Sequence, residues 1–247
     1  MRQKIGTCHI CGSNGKLTKE HVPPQRAFNK QKVVSVVGRK LIGIGPDDFP
    51  KGEIQQGGAH SYTLCSNCNN KTGHWYGNGF IDFCYQGMEY LYKSKGEPSL
   101  YYMYYLFPLQ VIKQIVTMFF SVNTSAFSQK NPELVRFVLN KEQTYLPTKY
   151  RIYAYYNISN RCRYVGVTSL LKIENSMSSH TFCEINHPPF GYVLTLNSDP
   201  PDERLEDITF FANYPYNEFK VITINFPVLE THLPHPGDYR TRNEIPN

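Results

Sequence analysis

Two Cys-x-x-Cys pairs constrain this chain more than any other feature of its sequence. Cys8 and Cys11 form the first pair, and Cys65 and Cys68 form the second. Two residues between the cysteines allow a tight turn to direct both sulfurs at one point. Four thiolates are the ligand set of a tetrahedral structural zinc ion, with Zn–S bonds of about 2.3 Å. The pattern therefore predicts a structural zinc site, although the 53 residues between the pairs exceed the spacing of short zinc fingers.

Two other interpretations of these cysteines are four unconnected buried thiols and two redox-active pairs. Neither pair has the βαβ surroundings of a thioredoxin-like motif, which disfavours the redox interpretation. Cys84, Cys162 and Cys183 leave an odd number outside the pairs, and no apolar leader follows Met1. We therefore expect reduced thiols and a cytoplasmic location. The most apolar run, residues 100–112, is too short to span a bilayer, so no membrane association is expected.

The positive charge of the chain is concentrated around the cysteine pairs. Residues 1–79 contain 11 Lys and Arg against 4 Asp and Glu, a net charge of +7, whereas residues 80–247 contain 15 against 16, a net charge of −1. This asymmetry suits a polyanionic partner such as DNA, and a solvated basic surface is the other interpretation.

The segments around the cysteine pairs are predicted to form two strands and a helix. Residues 17–21 read as a strand that ends before Pro23 and Pro24, because two prolines cannot join a ladder. Residues 60–64 read as a second strand, and a helix is expected to begin near Cys68. The glycines at positions 77 and 79 are expected to interrupt this helix. Between the strands, residues 26–59 form a basic insertion that is either a hairpin of residues 33–37 with 41–44 or a loop over the site.

The order of these residue types resembles the HNH endonuclease family, the ββα-metal nucleases. The resemblance covers residues 8 to about 76 and consists of Cys-x-x-Cys-Gly, then Glu-His-Val-Pro-Pro, then Leu-Cys-x-x-Cys-Asn-x-Lys. It implies a treble-clef-like zinc module in which Cys8, Cys11, Cys65 and Cys68 are structural, since a site filled by four thiolates has no open position. A separate Mg²⁺ or Mn²⁺ would then serve catalysis.

The resemblance also implies a catalytic set. His21 would be the general base, and a core or capping histidine is its structural alternative. Glu20, at a position that is usually Asp in the family, and Asn69 would bind the catalytic ion through oxygen, although Asn69 is also suited to cap a helix. Glu20 and His21 are neighbours on a strand and can share a site only if the strand bends. His60 stands where the family has Asn, and would orient His21 or bind metal.

Three basic residues complete the expected site by binding the phosphate backbone: Lys19, Arg26 and Lys71. Beyond the module, residues 108–122 have amphipathic helical spacing, a second helix starts at Asn131-Pro132, and five segments after residue 150 read as strands. The expected fold class is α+β, with an N-terminal ββα-metal zinc module in residues 1–79, followed in residues 80–247 by helices and an antiparallel β-meander of unknown role.

Two functions are compatible with this sequence. One is a metal-dependent endonuclease that hydrolyses DNA phosphodiester bonds, and the resemblance implies a place in restriction or phage defence. The other is a noncatalytic zinc module that binds nucleic acid or protein. Both explain the cysteines and the charge, but only the nuclease explains Glu20, His21 and Asn69 together. Residues 97–247 are expected to form a homodimer or to bind a partner protein.

Overall fold

The computed structural model describes residues 4–41, 51–159, 161–173, 177–232, 235–241 and 244. The elements of the first part of the chain are β1 (Ile5–Thr7), β2 (Asn14–His21), β3 (Val33–Ser35), a 3-10 helix (Gly38–Leu41), β4 (Glu53–Gln55), β5 (His60–Cys65) and α1 (Ser66–Lys93). The strands β1, β2 and β5 form an antiparallel sheet in that order. Both predicted strands therefore exist, and both are longer than expected.

The pairing of β2 with β5 fixes the position of the predicted site residues. Leu17 pairs with Cys65 at one end of the ladder, and His21 pairs with His60 at the other. The register shifts between Thr18 and Lys19, so that β5 contributes one extra residue, Thr63, to the ladder.

The insertion between β2 and β5 contains a two-stranded ribbon. β3 pairs with β4, and the partner that the sequence suggested for the valine run, residues 41–44, lies almost entirely outside the described part of the chain. Residues 42–50 lie outside the described residues. Several short strands in a glycine-rich segment can satisfy the same alternation, so sequence alone specifies their register weakly.

The helix α1 is a single helix of 28 residues that connects the cysteine pairs with the rest of the protein. The predicted interruption by Gly77 and Gly79 was wrong, because these glycines lie buried within the helix. A Cβ atom at Gly79 would come within 2.8 Å of Oε1 of Gln110, so the glycine permits a close approach of the following helix. The proposed boundary between residues 79 and 80 falls inside α1.

The second part of the chain is built around a seven-stranded sheet. Its elements are β6 (Ser99–Leu106), α2 (Pro108–Val122), α3 (Ala126–Lys130), α4 (Pro132–Leu139), β7 (Tyr150–Asn157), β8 (Arg163–Ile173), β9 (Met177–His187), β10 (Phe190–Leu196), β11 (Glu206–Asp207), a 3-10 helix (Thr209–Asn213) and β12 (Lys220–Leu229). The strand order is β6-β12-β7-β10-β9-β8, and β11 pairs with β7. The fold is mixed α and β with largely antiparallel sheets.

The arrangement of these strands differs from the expected meander. Only β8, β9 and β10 follow one another as neighbours on the main path, and β12 pairs parallel with β7. Local strand patterns do not contain the information that the last strand returns to the centre of the sheet, which explains the difference. Of the described helices, none is long and apolar enough to cross a membrane.

One hydrophobic core joins the two parts of the chain. It includes Cys8 and Leu64 beside the cysteine pairs, Phe83 on α1, Ile115 on α2 and Phe190 on the sheet. A smaller core on the sheet contains Tyr155, Phe182, Val193 and Tyr239 among others, and the C-terminal segment contributes to it. The cysteine pairs therefore pack against the same core as α1 and α2.

Candidate functional site

The four predicted cysteines lie together. Their sulfur atoms are all within 4.8 Å of one another, and the sulfurs of Cys11 and Cys65 are 3.9 Å apart. Tetrahedral Zn–S bonds of about 2.3 Å imply sulfur–sulfur distances of about 3.8 Å, so the cluster matches the size of a structural zinc site. The four cysteines can thus hold a metal ion such as zinc, and the alternative of four unconnected thiols is excluded.

Local structure explains how each half of the cluster is formed. Gly12 has φ +72°, which an L-residue rarely adopts, and its N–H donates to the carbonyl of Cys8 at 3.0 Å. Cys65 ends β5 and precedes α1, so Cys68 lies in the first turn of the helix. The N–H of His9 donates to the carbonyl of Thr63 at 2.8 Å and attaches the first half to β5.

The sulfur atoms of Cys8 and Cys68 are hydrogen-bonded to each other. A hydrogen bond with Cys68 is the main reason why the pKa of Cys8 is well below its usual range, and the same bond raises the pKa of Cys68. Desolvation by burial opposes the shift at Cys8. A preformed thiolate is the form that a metal ion needs.

His21 and His60 face each other across the paired strands β2 and β5, which are called the β2–β5 hairpin below. Their ring centroids are 5.5 Å apart, and Nδ1 of His60 donates to the carbonyl of Gly58 at 2.9 Å. Burial is the main cause of a lowered pKa at His21, with smaller contributions from the charges of Lys19 and His60. His21 is therefore neutral near pH 7, and its buried Nε2 has no hydrogen-bond partner among the described residues. These properties suit a proton acceptor.

Glu20 lies in the protein interior, with 6% of its surface exposed. Burial raises the pKa of its carboxyl to about 8, the Ser121 hydroxyl lowers it, and the negative charge of Cys8 raises it further. Its Oε2 atom is buried and has no hydrogen-bond partner within the described part of the chain. A carboxyl group in this condition is either protonated or balanced by a cation.

Asn69 connects the start of α1 with β2. Its Nδ2 donates to Oγ1 of Thr18 at 3.0 Å and to the carbonyl of Lys19 at 3.4 Å, which directs the amide nitrogen toward the strand. The residue at the cap position of α1 is Cys65, so the interpretation of Asn69 as a helix cap was wrong.

The contacts divide the predicted catalytic residues into two groups. Thr18 and Glu20 are two positions apart on β2 and lie on one face of the strand, the face that Asn69 contacts. Lys19 and His21 lie on the other face, where His21 meets His60. The irregularity in the hairpin precedes Glu20, so no register shift separates Glu20 from His21 within the ladder.

The predicted phosphate-binding residues are all on the surface. Lys19 is exposed on the hairpin, and Lys71 and Arg26 are exposed along α1. Nη1 of Arg26 donates to Oδ1 of Asn78 at 3.4 Å, and Asn78 lies seven positions, or about two helical turns, after Lys71. Lys71 and Arg26 therefore follow one face of the helix.

The last turn of α2 is a part of the site that sequence reasoning missed. Ser121 lies beside Glu20, and Nδ1 of His9 donates to the carbonyl of Phe120 at 3.2 Å. These residues are about 100 positions from β2 in sequence, and no motif or spacing marks them. A serine among the apolar residues that end α2 is the one signal that the sequence offers.

Comparison of the chain with protein-family models, curated proteins and solved structures gave no match. The proposed function therefore depends on the residues of the cysteine cluster, the β2–β5 hairpin and the start of α1.

Proposed function

We propose that this protein is a metal-dependent endonuclease of the HNH type that hydrolyses DNA phosphodiester bonds. One observation carries the proposal: the cysteine cluster joins the β2–β5 hairpin to the start of α1, so that Asn69 contacts the strand that ends in His21. The resemblance to the HNH family implies the same order of elements, in which two strands are followed by a cysteine pair and a helix. We assign zinc to the cluster as a structural ion.

His21 is the proposed general base. Its lowered pKa keeps the imidazole neutral at pH 7, and its unpartnered Nε2 is able to accept a proton from water. His60 replaces the family's asparagine and restricts the orientation of the His21 ring from the opposite strand. Its own Nδ1–H is held by Gly58, which fixes the ring of His60.

The proposed ligands for the catalytic divalent ion are Glu20 and Asn69. A bound Mg²⁺ or Mn²⁺ would supply charge stabilisation at the phosphate and the leaving oxygen. The residues fit such an ion by their chemistry, because a carboxylate oxygen without a partner and an amide oxygen lie on the same side of β2. The burial of Glu20 means that this ion would sit below the surface.

Positive charge around the hairpin supports a DNA substrate. Lys19 lies on the strand face of His21, and Lys71 and Arg26 extend from the cluster along α1. Contacts of this kind with phosphate supply affinity without sequence specificity. The resemblance implies a role in restriction or phage defence. The cysteine content favours the cytoplasm, and residues 97–247 would form a homodimer or bind a partner protein.

One observation favours the alternative, a noncatalytic zinc module that binds nucleic acid. Glu20 and His21 lie on opposite faces of β2, and a buried carboxylate does not meet a phosphodiester that approaches His21 from the surface. The binding module needs only the zinc cluster and the exposed basic residues.

A cleavage assay separates the two functions. Zinc-loaded protein is incubated with supercoiled plasmid DNA and Mg²⁺ or Mn²⁺, with and without EDTA. The nuclease converts the plasmid to nicked or linear DNA only when the divalent ion is present. DNA binding without cleavage, in protein whose zinc content is complete, contradicts the nuclease and supports the binding module.

A further inference from the structure

The insertion between β2 and β5 contains a ribbon of β3 and β4 that pairs with neither of the other two sheets. Within this β3–β4 ribbon, Val34 pairs with Ile54, so their side chains lie on one face, which is called the outer face below. Val34 is 60% exposed and Ile54 is 56% exposed. An isolated two-stranded ribbon is only marginally stable in water, so an apolar outer face that the chain leaves uncovered is a candidate contact surface.

Hydrogen bonds hold the base of the ribbon beside His21 and His60. The buried side chain of Asn29 donates from Nδ2 to the carbonyls of Pro23 at 2.7 Å and Ala59 at 2.9 Å. Its Oδ1 accepts from the N–H of Ala59 at 2.7 Å. Pro23 follows β2, which ends at His21, and Ala59 directly precedes His60. The ribbon therefore leaves the protein next to the proposed general base.

The other face of the ribbon is turned toward the protein. Gln55 is next to Ile54 on β4 and therefore lies on the opposite face, where its Oε1 accepts from the N–H of His60 at 3.1 Å. Val33, which pairs with Gln55, is partly buried, whereas Val34 is exposed. The outer face is thus the face that a partner can reach.

Positive charge lies at both ends of the ribbon. Lys32 directly precedes β3 and Lys51 lies two positions before β4, and because the strands are antiparallel these lysines stand at opposite ends. Both are exposed, and neither takes part in an ion pair among the described residues. The acidic residue of the two strands, Glu53, is next to Ile54 and lies on the opposite face. The outer face therefore combines apolar side chains with flanking positive charge, which complements a polyanion.

The width of the ribbon distinguishes between the two grooves of DNA. The major groove of B-DNA, about 12 Å wide, admits a two-stranded ribbon, whereas the minor groove, about 6 Å wide, is too narrow for two strands about 4.8 Å apart and their side chains. The apolar group that base pairs present in the major groove is the C5-methyl group of thymine.

We propose that the outer face of the β3–β4 ribbon enters the major groove of duplex DNA, where Val34 and Ile54 contact thymine methyl groups and the two lysines, Lys32 and Lys51, contact phosphates. The proposal rests on the proposed function and deepens it, because it assigns to the insertion a preference for sites that contain thymine.

The test uses two labelled duplexes that differ only in this methyl group. One contains thymidine, and deoxyuridine replaces every thymidine in the other. Fluorescence anisotropy measures the affinity of zinc-loaded full-length protein for each duplex, without Mg²⁺ or Mn²⁺. The wild type should bind the thymine duplex more tightly, by about fourfold for each methyl group that the ribbon contacts.

Two sets of variants assign the preference to the ribbon. The double variant Val34→Thr and Ile54→Thr keeps β-branched side chains and should bind the two duplexes with nearly equal affinity. Ile5→Thr changes an exposed isoleucine of β1 and should keep the thymine preference. Lys32→Gln with Lys51→Gln should weaken binding of both duplexes alike and reduce the slope of log K against log salt by about 0.9 for each lost contact. All variants should melt at the wild-type temperature, because the changed side chains are exposed.

Plasmid cleavage with Mg²⁺ or Mn²⁺, measured on the same samples, separates this proposal from the nuclease. Loss of the thymine preference in the double variant supports the role of the ribbon, whether or not the protein cleaves DNA. If the wild type cleaves the plasmid but binds both duplexes equally, or if the double variant keeps the preference, the role of the ribbon is overturned and the nuclease stands. A wild type that binds neither duplex would overturn both.

Discussion

The sulfur atoms of Cys11 and Cys65 lie 3.9 Å apart, although 54 positions separate the two residues in sequence. This contact closes the segment that contains β2, the insertion and β5, and it joins Cys65, the residue just before α1, to the turn that precedes β2. Because α1 continues for 28 residues into the main core, the cysteine cluster links the hairpin to the whole protein.

Removing a ligand from the cluster should release zinc and unfold the hairpin. We expect Cys11→Ser and Cys65→Ser to lose bound zinc, because binding of structural zinc is worth on the order of 10 kcal/mol and is coupled to folding. Zinc content by mass spectrometry and melting temperature measure the effect. Cys162→Ser, outside the cluster, should keep both at wild-type values, and full zinc occupancy in Cys65→Ser would contradict the assignment.

Two glycines of α1 should respond in opposite ways to alanine. At Gly87 a Cβ atom would lie 2.3 Å from Phe190, so Gly87→Ala should lower the free energy of unfolding by about 1–3 kcal/mol through overpacking. Gly73 is exposed and has nothing within 4 Å, so Gly73→Ala should raise it by about 0.5–1 kcal/mol through helix propensity. Urea denaturation measures both, and equal effects would contradict the packing of α1 on the sheet.

Local patterns predicted the elements of the fold well where one motif determined them. The cysteine pairs, the strands before and after the insertion, and the helix at residues 108–122 all form near the expected positions. The continuity of α1 could not be predicted, because the close packing of Gly79 on Gln110 is a tertiary contact. The parallel pairing of β12 with β7 likewise depends on the path of the whole chain.

The candidate site was predicted as a set of residues but not as an arrangement. The motif identified Glu20, His21, His60 and Asn69, yet spacing does not say which face of β2 each residue occupies. Strand alternation places Glu20 and His21 on opposite faces, and the packing of α2 buries Glu20 beside Ser121. That burial arises from a helix about 100 residues later in the chain.

Charge reversal along α1 should weaken DNA binding. The double variant Lys71→Glu and Arg26→Glu should lower affinity and reduce the slope of log K against log salt by about 1 for each lost phosphate contact. Fluorescence anisotropy of labelled duplex DNA at several salt concentrations measures the slope. Lys93→Glu, at the far end of the same helix, should leave the slope unchanged. Equal effects of the two changes would show that the DNA interface does not lie at Lys71 and Arg26.

His187 should make stability depend on pH. Burial lowers its pKa to about 4, and its Nδ1 lies 2.7 Å from the Tyr164 hydroxyl and 3.5 Å from the Cys162 sulfur. Because the unfolded histidine has a pKa of about 6.5, the unfolded state binds more protons between these values. The contribution of neutral His187 to the free energy of unfolding should therefore be fully present above pH 6.5. It should decrease by up to about 3 kcal/mol as the pH falls toward 4.

The comparison variant for this pH effect is His187→Gln, which keeps an acceptor for Tyr164. Its free energy of unfolding, measured from pH 4 to pH 7, should vary less with pH than that of the wild type. Parallel curves for the two proteins would show that His187 does not stay neutral in the folded protein.

The most direct test of the nuclease is the cleavage rate of His21→Ala on plasmid DNA in Mg²⁺ or Mn²⁺, with zinc content and DNA affinity measured on the same samples. The wild type should cleave only with the divalent ion, and His21→Ala should retain zinc and DNA affinity while cleaving at least about 10²-fold more slowly, because it lacks the proton acceptor. Excess metal should not restore the rate. Cleavage by His21→Ala at the wild-type rate, or no cleavage by the zinc-loaded wild type with either ion, would contradict the account.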